Sequence, residues 1–219
     1  RGWRAGWGRT GAVVRRKVER LVSECKAMGG IVFDDPEFSP ANVLATISRS
    51  PPPTARVEAL YPGASMFVDP VVPGDVVPGL LSTTYLLGAA AAVGAVGMLH
   101  PLFVAFSTTS SIYGVRLFKN CRWVYVVVDG SVPINDAGAP LFSRAADSRE
   151  LWVMILEKAY AKLHGSYDAI DRGTEKTALV DLTGGIPLDI RLDKGPGHDA
   201  IMSGTFWPQL VELVSAPTT

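Results

Sequence analysis

Leu80 to Leu99, LLSTTYLLGAAAAVGAVGML, is a run of twenty residues without a charged side chain. A stretch this long and this apolar has two homes, the interior of a bilayer or the middle of a protein core. Alanine and glycine fill its centre, His100-Pro101 follow it directly, and neither flanking charges nor an aromatic belt mark its ends. Those features predict a buried core helix of roughly Thr84 to Leu99. A membrane anchor through the same run is the competing reading.

The rest of the chain supplies what such a helix would be buried in. Its 219 residues suffice for one full domain and part of a second. Lysine plus arginine and aspartate plus glutamate each total 21, so no net charge draws the chain to nucleic acid. The first twenty residues depart from this balance, with Arg1, Arg4, Arg9, Arg15, Arg16, Lys17 and Arg20 standing among Trp3 and Trp7. They read as a solvated tail leading into a helix, or as an arm that docks on an acidic partner or a membrane surface. The chain does not begin with Met, which suggests a fragment or a processed form. Cys25 and Cys121 are too few and too distant for a disulfide framework or a cysteine metal site, so a reducing, intracellular compartment is expected.

Val14, Val18, Leu21, Val22 and Cys25 recur at helical spacing and predict a helix over 13–27 that Gly29-Gly30 stop. From Ile31 to Gly79 prolines recur too often for continuous helix, and the segment is expected to wrap a core in extended form. A hairpin follows, with Val115 and Leu117 on one strand, a turn at Lys119-Asn120, and Trp123 to Val128 on the other. ELWVMILEKAYAKL, Glu150 to Leu163, carries one wide apolar face and ends at Gly165, the clearest helix in the chain. Beyond a link at Asp171-Arg172-Gly173 come a short helix, a strand at 186–192, a loop DKGPGHDAIMSG and a final helix over 206–214.

Four pieces in this order resemble the calpain family of calcium-dependent cysteine proteases: FDDPEF, FVDPVVPGDVVPGLL, WVYVVVDGSVPIND and ELWVMILEKAYAKLHGSYDAIDRGTEKTALVDLTGG. The last is long and specific. The resemblance implies a mixed α/β (α+β), papain-like cysteine protease fold. It divides the chain into an arm and helix over 1–27, a first core lobe over 28–172 and the start of a second lobe over 173–219. It also places Thr84 where the family carries its nucleophilic Cys, and Pro78 where it carries the oxyanion Gln. A low-pKa thiol attacks because it is ionised at neutral pH, whereas a threonine hydroxyl is far less acidic and proline has no N–H to donate.

The expectation that follows is a chain that is not an enzyme, a binding, scaffolding or regulatory module with protein or peptide partners, cytoplasmic and linked to the cytoskeleton. The alternative is a fragment of an active calcium-dependent endopeptidase. The resemblance also implies a calcium site, with side chains from Asp75 and Glu150 and carbonyls near Val68 and Pro70; hard oxygen ligands suit that ion. His100, His164 and His198 have no cysteine partner that the resemblance supports. They read as a helix end, a variable position and a surface residue, and Cys25 and Cys121 as structural.

Overall fold

The computed structural model describes residues 2–39, 51–68 and 70–215, with side chains from Gly11 onward except that of Val214. The side chains of Arg1, Arg4, Arg9, Trp3 and Trp7 therefore lie outside the described residues. In chain order the elements are α1 (Gly2–Ala27), β1 (Thr54–Arg56), a one-turn α2 (Val57–Leu60), β2 (Val76–Val77) and α3 (Thr84–Ala95). There follow β3 (Phe103–Ser107), β4 (Ile112–Lys119), β5 (Arg122–Asp129), β6 (Ser131–Pro133) and β7 (Arg144–Ala145). The chain closes with α4 (Trp152–His164), α5 (Glu175–Thr183), α6 (Pro196–Met202) and α7 (Phe206–Ser215).

Strands β3, β4 and β5 form one antiparallel sheet in that order, and two short ribbons pair β1 with β6 and β2 with β7. The α4 helix is the centre of the core. Every residue from Trp152 to Ala161 is buried, Glu157 and Lys158 included, so the helix has no solvent face over that stretch. The α3 helix packs against α5. Its small residues admit the wrapping segment: a Cβ on Gly94 would stand 2.4 Å from Val71 Cγ1. Gly165 ends α4 at a φ of +101°, a conformation that glycine adopts without strain.

One sheet face belongs to α1. Strand alternation puts Ile112, Gly114 and Arg116 on the same side of β4. Val14 and Val18 of α1 pack against Ile112 and Val127 in a small second core. They come so close because residue 114 has no side chain; a Cβ there would lie 2.6 Å from Val14 Cγ1.

Five sequence expectations need correcting. The first helix begins at Gly2, so what read as an arm continues the helix. The uncharged run stops being helical at Ala95, because Gly97 turns the chain at a φ of +71° and Pro101 forbids continuation. The hairpin turns at Asn120-Cys121, both at positive φ (50° and 58°), as a tight turn between right-twisted strands requires. Residues 186–192 form no strand, and Pro196 to Met202, expected as loop, is helix, opened by Pro196 in its first turn. Among the described residues no helix is long and apolar enough to cross a membrane.

Candidate active-site helix and its supports

The segment from Pro78 to Thr83 enters α3 fixed at several points. Leu80 N–H donates to the Leu141 carbonyl at 3.0 Å. Gly79 lies against the Phe142 backbone, where a Cβ would be 2.1 Å from the carbonyl carbon. Ser82 N–H donates to Asp171 Oδ1 at 3.0 Å, and the buried Thr83 hydroxyl donates to Glu157 Oε1 at 2.6 Å. The chain before the helix is thereby held by the β6–β7 connection on one side and by α4 and the residue-171 turn on the other.

That anchoring has a consequence for chemistry. A threonine preceding a helix ordinarily turns its oxygen onto the first-turn amides, but the Thr83 hydroxyl is engaged by Glu157 and does not cap α3. The Thr83 carbonyl accepts from the N–H groups of Leu86 and Leu87. The amide end of the helix, with its partial positive charge, is left at the first helical residue, Thr84, which is exposed. Such a terminus stabilises an anionic nucleophile or a carbonyl oxygen acquiring charge. Pro78 is exposed in the lead-in segment and brings no donor.

Glu157 Oε2 accepts from Ser143 N–H at 3.0 Å. Burial pushes the Glu157 carboxyl up, against the opposing effect of the Thr83 and Ser143 hydrogen bonds. The folded chain thus keeps this proton at pH values where the unfolded chain, at about 4.3, has released it. The stability that results is complete below the unfolded pKa and is lost as pH rises through the folded one. Urea midpoints followed from pH 4 to neutrality will fall less steeply for Glu157→Gln than for the wild type; identical slopes would show that Glu157 is ionised in the fold.

The residues expected to hold calcium are partly brought together. Buried Glu150 accepts from Val68 N–H at 2.7 Å through Oε1 and from Trp152 Nε1–H at 3.1 Å through Oε2. Asp75 turns back on its own one-turn helix and accepts from Val72 N–H at 2.7 Å. Pro70 is exposed nearby in sequence. Among the described residues no three His, Cys, Asp or Glu side chains cluster as a metal site. Of the expected set, Glu150 meets Val68 through that residue's N–H.

A buried ion network escaped the sequence reading. Lys158 Nζ donates to Asp129 Oδ1 at 2.6 Å and to the Ser131 carbonyl at 2.5 Å. Asp129 also accepts from the N–H groups of Asp35 and Ser131, each at 2.7 Å. One turn on, Lys162 pairs with Asp35 at 2.7 Å and Glu37 at 3.1 Å and donates to the Val127 carbonyl. The motifs FDDPEF, VVVDG and EKAYAK therefore meet as one structural lock. Two lysines four residues apart inside a largely apolar helix were the available signal.

His164, Lys119 and Tyr160 converge on Asp181 Oδ2 at 3.0 to 3.2 Å. Burial pushes the Asp181 carboxyl up, but the His164 and Tyr160 hydrogen bonds and the Lys119 charge outweigh it and hold it below the carboxylate range. His100 stacks on Phe67 with ring centroids 4.0 Å apart and opens a short turn, and His198 sits in α6. Cys25 is buried on the inner face of α1 and Cys121 is exposed in the hairpin turn.

Residues 33–215 match the model of the calpain family cysteine protease. The chain is 34% identical over 214 residues to calpain-type cysteine protease DEK1 of Arabidopsis thaliana, covering 90% of this chain and 10% of that protein. It is 32% identical over 190 residues to calpain-A of Drosophila melanogaster, with 82% of this chain and 22% of the relative covered. Against human calpain-14 the figures are 30% over 202 residues, 86% and 29%. It thus spans between a tenth and under a third of the length of these relatives. The expectation of a chain that is not an enzyme is overturned by this kinship, since the matched family and the Arabidopsis relative are named as cysteine proteases. Family model, relatives and α+β core agree: the chain belongs to the calpain family of cysteine proteases.

Proposed function

We propose that the chain supplies part of a calpain-type peptidase unit, with residues 28–172 as a first lobe, 173–219 as the start of a second, and α1 braced on the first. Its task in that unit is to hold an extended polypeptide across the uncapped amide end of α3, so that a peptide carbonyl lies over Thr84. The single observation that carries this reading is the fixation of residues 79–83 by Leu141, Phe142, Asp171 and Glu157, which leaves the α3 terminus rigid and open. Preorganised amide groups of this kind favour a developing oxyanion at no reorganisation cost. Thr84 and Pro78 stand in the nucleophile and oxyanion positions, and the hydroxyl makes Thr84 the rate-limiting feature of the unit. The test is cleavage of an unstructured protein, and of cytoskeletal proteins as the partner class, by the full-length protein. Turnover that Thr84→Ala abolishes supports the reading; turnover that Thr84→Ala leaves intact removes it.

Calcium enters the same proposal through Glu150, Asp75 and the carbonyls near Val68 and Pro70, where it would tie the residue-68 loop to the start of α4. Trp152 reports on that site, because its indole N–H is bonded to Glu150. Calcium is expected to change tryptophan emission in the wild type and not in Glu150→Ala, with magnesium much weaker because it demands a tighter octahedral shell. A calcium response that survives Glu150→Ala would place the ion elsewhere.

A further inference from the structure

Between α1 and the β3–β4 edge lies a cavity of about 580 Å³, bordered by Arg15, Arg16, Arg116, Pro101, Phe103 and Val104. Among the described residues no acidic side chain borders it. Three positive charges meet at it in a chain whose formal net charge is zero. We propose that Arg15, Arg16 and Arg116 form a binding site for a phosphate-bearing small group, one whose apolar remainder lies on Phe103 and Val104.

Several features converge on it. The close approach of α1 to Gly114 fixes one wall of the cavity against the other, so Arg15 and Arg16 are carried on a docked helix. Arg116 follows Ile112 and Gly114 on the α1 face and is 3% exposed. Its guanidinium lies over the Trp123 ring, 4.7 Å from the centroid, and reaches the Pro101 carbonyl at 3.4 Å. Stacking of this kind sets the orientation of the planar fork. Burial lowers Arg116 only to about 10, which leaves it charged at neutral pH. Arg15 and Arg16 make no ion pair among the described residues, whereas Arg20, further along the helix, is paired with Glu24. The forks of arginine match phosphate oxygens in a bidentate way that a lysine cannot, and the volume falls within the range of small-molecule pockets.

The ligand chemistry, a phosphate group, has two sources: a free phosphate compound or a lipid headgroup. The test uses the full chain and follows tryptophan emission and titration heat as inorganic phosphate is added, with sodium chloride at matched ionic strength as the control. A second arm measures co-sedimentation with phosphatidylcholine vesicles with and without phosphatidic acid. The variant is Arg15→Gln/Arg16→Gln, two exposed positions whose replacement leaves the Val14 and Val18 packing untouched, backed by Arg116→Gln and a circular dichroism check of folding. Saturable binding of inorganic phosphate, weakened at least about tenfold in Arg15→Gln/Arg16→Gln, supports the proposal with a soluble ligand. Binding confined to phosphatidic acid vesicles and lost in the same variant supports it with a lipid ligand. No response beyond the chloride control in either arm, or binding that the double variant retains, overturns it.

Discussion

Thr84→Cys is expected to raise peptide hydrolysis by the full-length protein by roughly 10³-fold or more, because deleting a nucleophile from a hydrolase costs on the order of 10⁶-fold. Residue 84 is the first of α3, is exposed, and stands at a helix end that the Thr83 side chain does not cap. A thiol there meets the partial positive charge of the first-turn amides, which stabilises a thiolate. A hydroxyl at the same place stays protonated and attacks only with a strong base beside it. The introduced thiol offers a readout that is independent of turnover. In a Cys121→Ser background, which removes the exposed native thiol, the Thr84→Cys variant should be alkylated rapidly well below the usual thiol pKa of about 8.5. Adding Pro78→Gln supplies an amide donor and should contribute a further 10²- to 10³-fold or so in rate. An introduced thiol that titrates like a free one and adds no turnover would show that the chemistry is not organised around the start of α3.

The second large effect concerns stability. Lys158→Ala should cost about 3–5 kcal/mol, since it removes one member of a fully buried ion pair and strands the other. Lys158 is 0% exposed and Asp129 3% exposed, and the pair is closed at 2.6 Å. Two amide N–H groups would remain on Asp129, but its counter-charge would be gone. Against a net stability of roughly 5–15 kcal/mol for a domain, such a loss puts much of the population into the unfolded state. Lys158→Met/Asp129→Asn should recover most of it, because neither variant side chain buries a charge. Urea denaturation of the three proteins decides the matter. A Lys158→Ala variant within about 1 kcal/mol of wild type would mean that the pair is not desolvated in solution.

The parts of the fold that could be read in advance are those set by neighbours along the chain. The helix after Glu150 announces itself by periodicity and by Gly165, and both sit where those signals put them. The hairpin is visible in its β-branched strand and is misplaced by only one residue at the turn, because the identity of the two positive-φ residues depends on strand register. The failure at 186–192 is instructive. Ile186, Leu188, Ile190 and Leu192 alternate as a strand does, yet Ile186 is 99% and Leu188 72% exposed and no strand pairs with them among the described residues. Alternation marks a segment able to join a sheet; it does not provide the partner. The α6 helix was missed for the opposite reason. Pro196 in the first turn and Gly204 after the end are helix-boundary signals, and the Gly/Pro count of the segment hid them.

The candidate site divides along the same line. The motif resemblance, a one-dimensional property, put forward Thr84 and Pro78 as the site and Glu150 as a calcium ligand; that Glu150 accepts from the Val68 N–H is seen only in the structure. The engagement of the Thr83 hydroxyl by Glu157, 74 positions away, was not legible, nor was the joining of Asp35, Asp129, Lys158 and Lys162 across up to 127 positions. Sequence by itself determined the family and the elements with strong local signals, the helix after Glu150 and the β4–β5 hairpin, since these rest on local spacing and on motif order. Only the tertiary structure decided what the charged residues inside those motifs do. A charge can be buried only where a distant partner satisfies it, and that partner is fixed by packing and not by position in the chain.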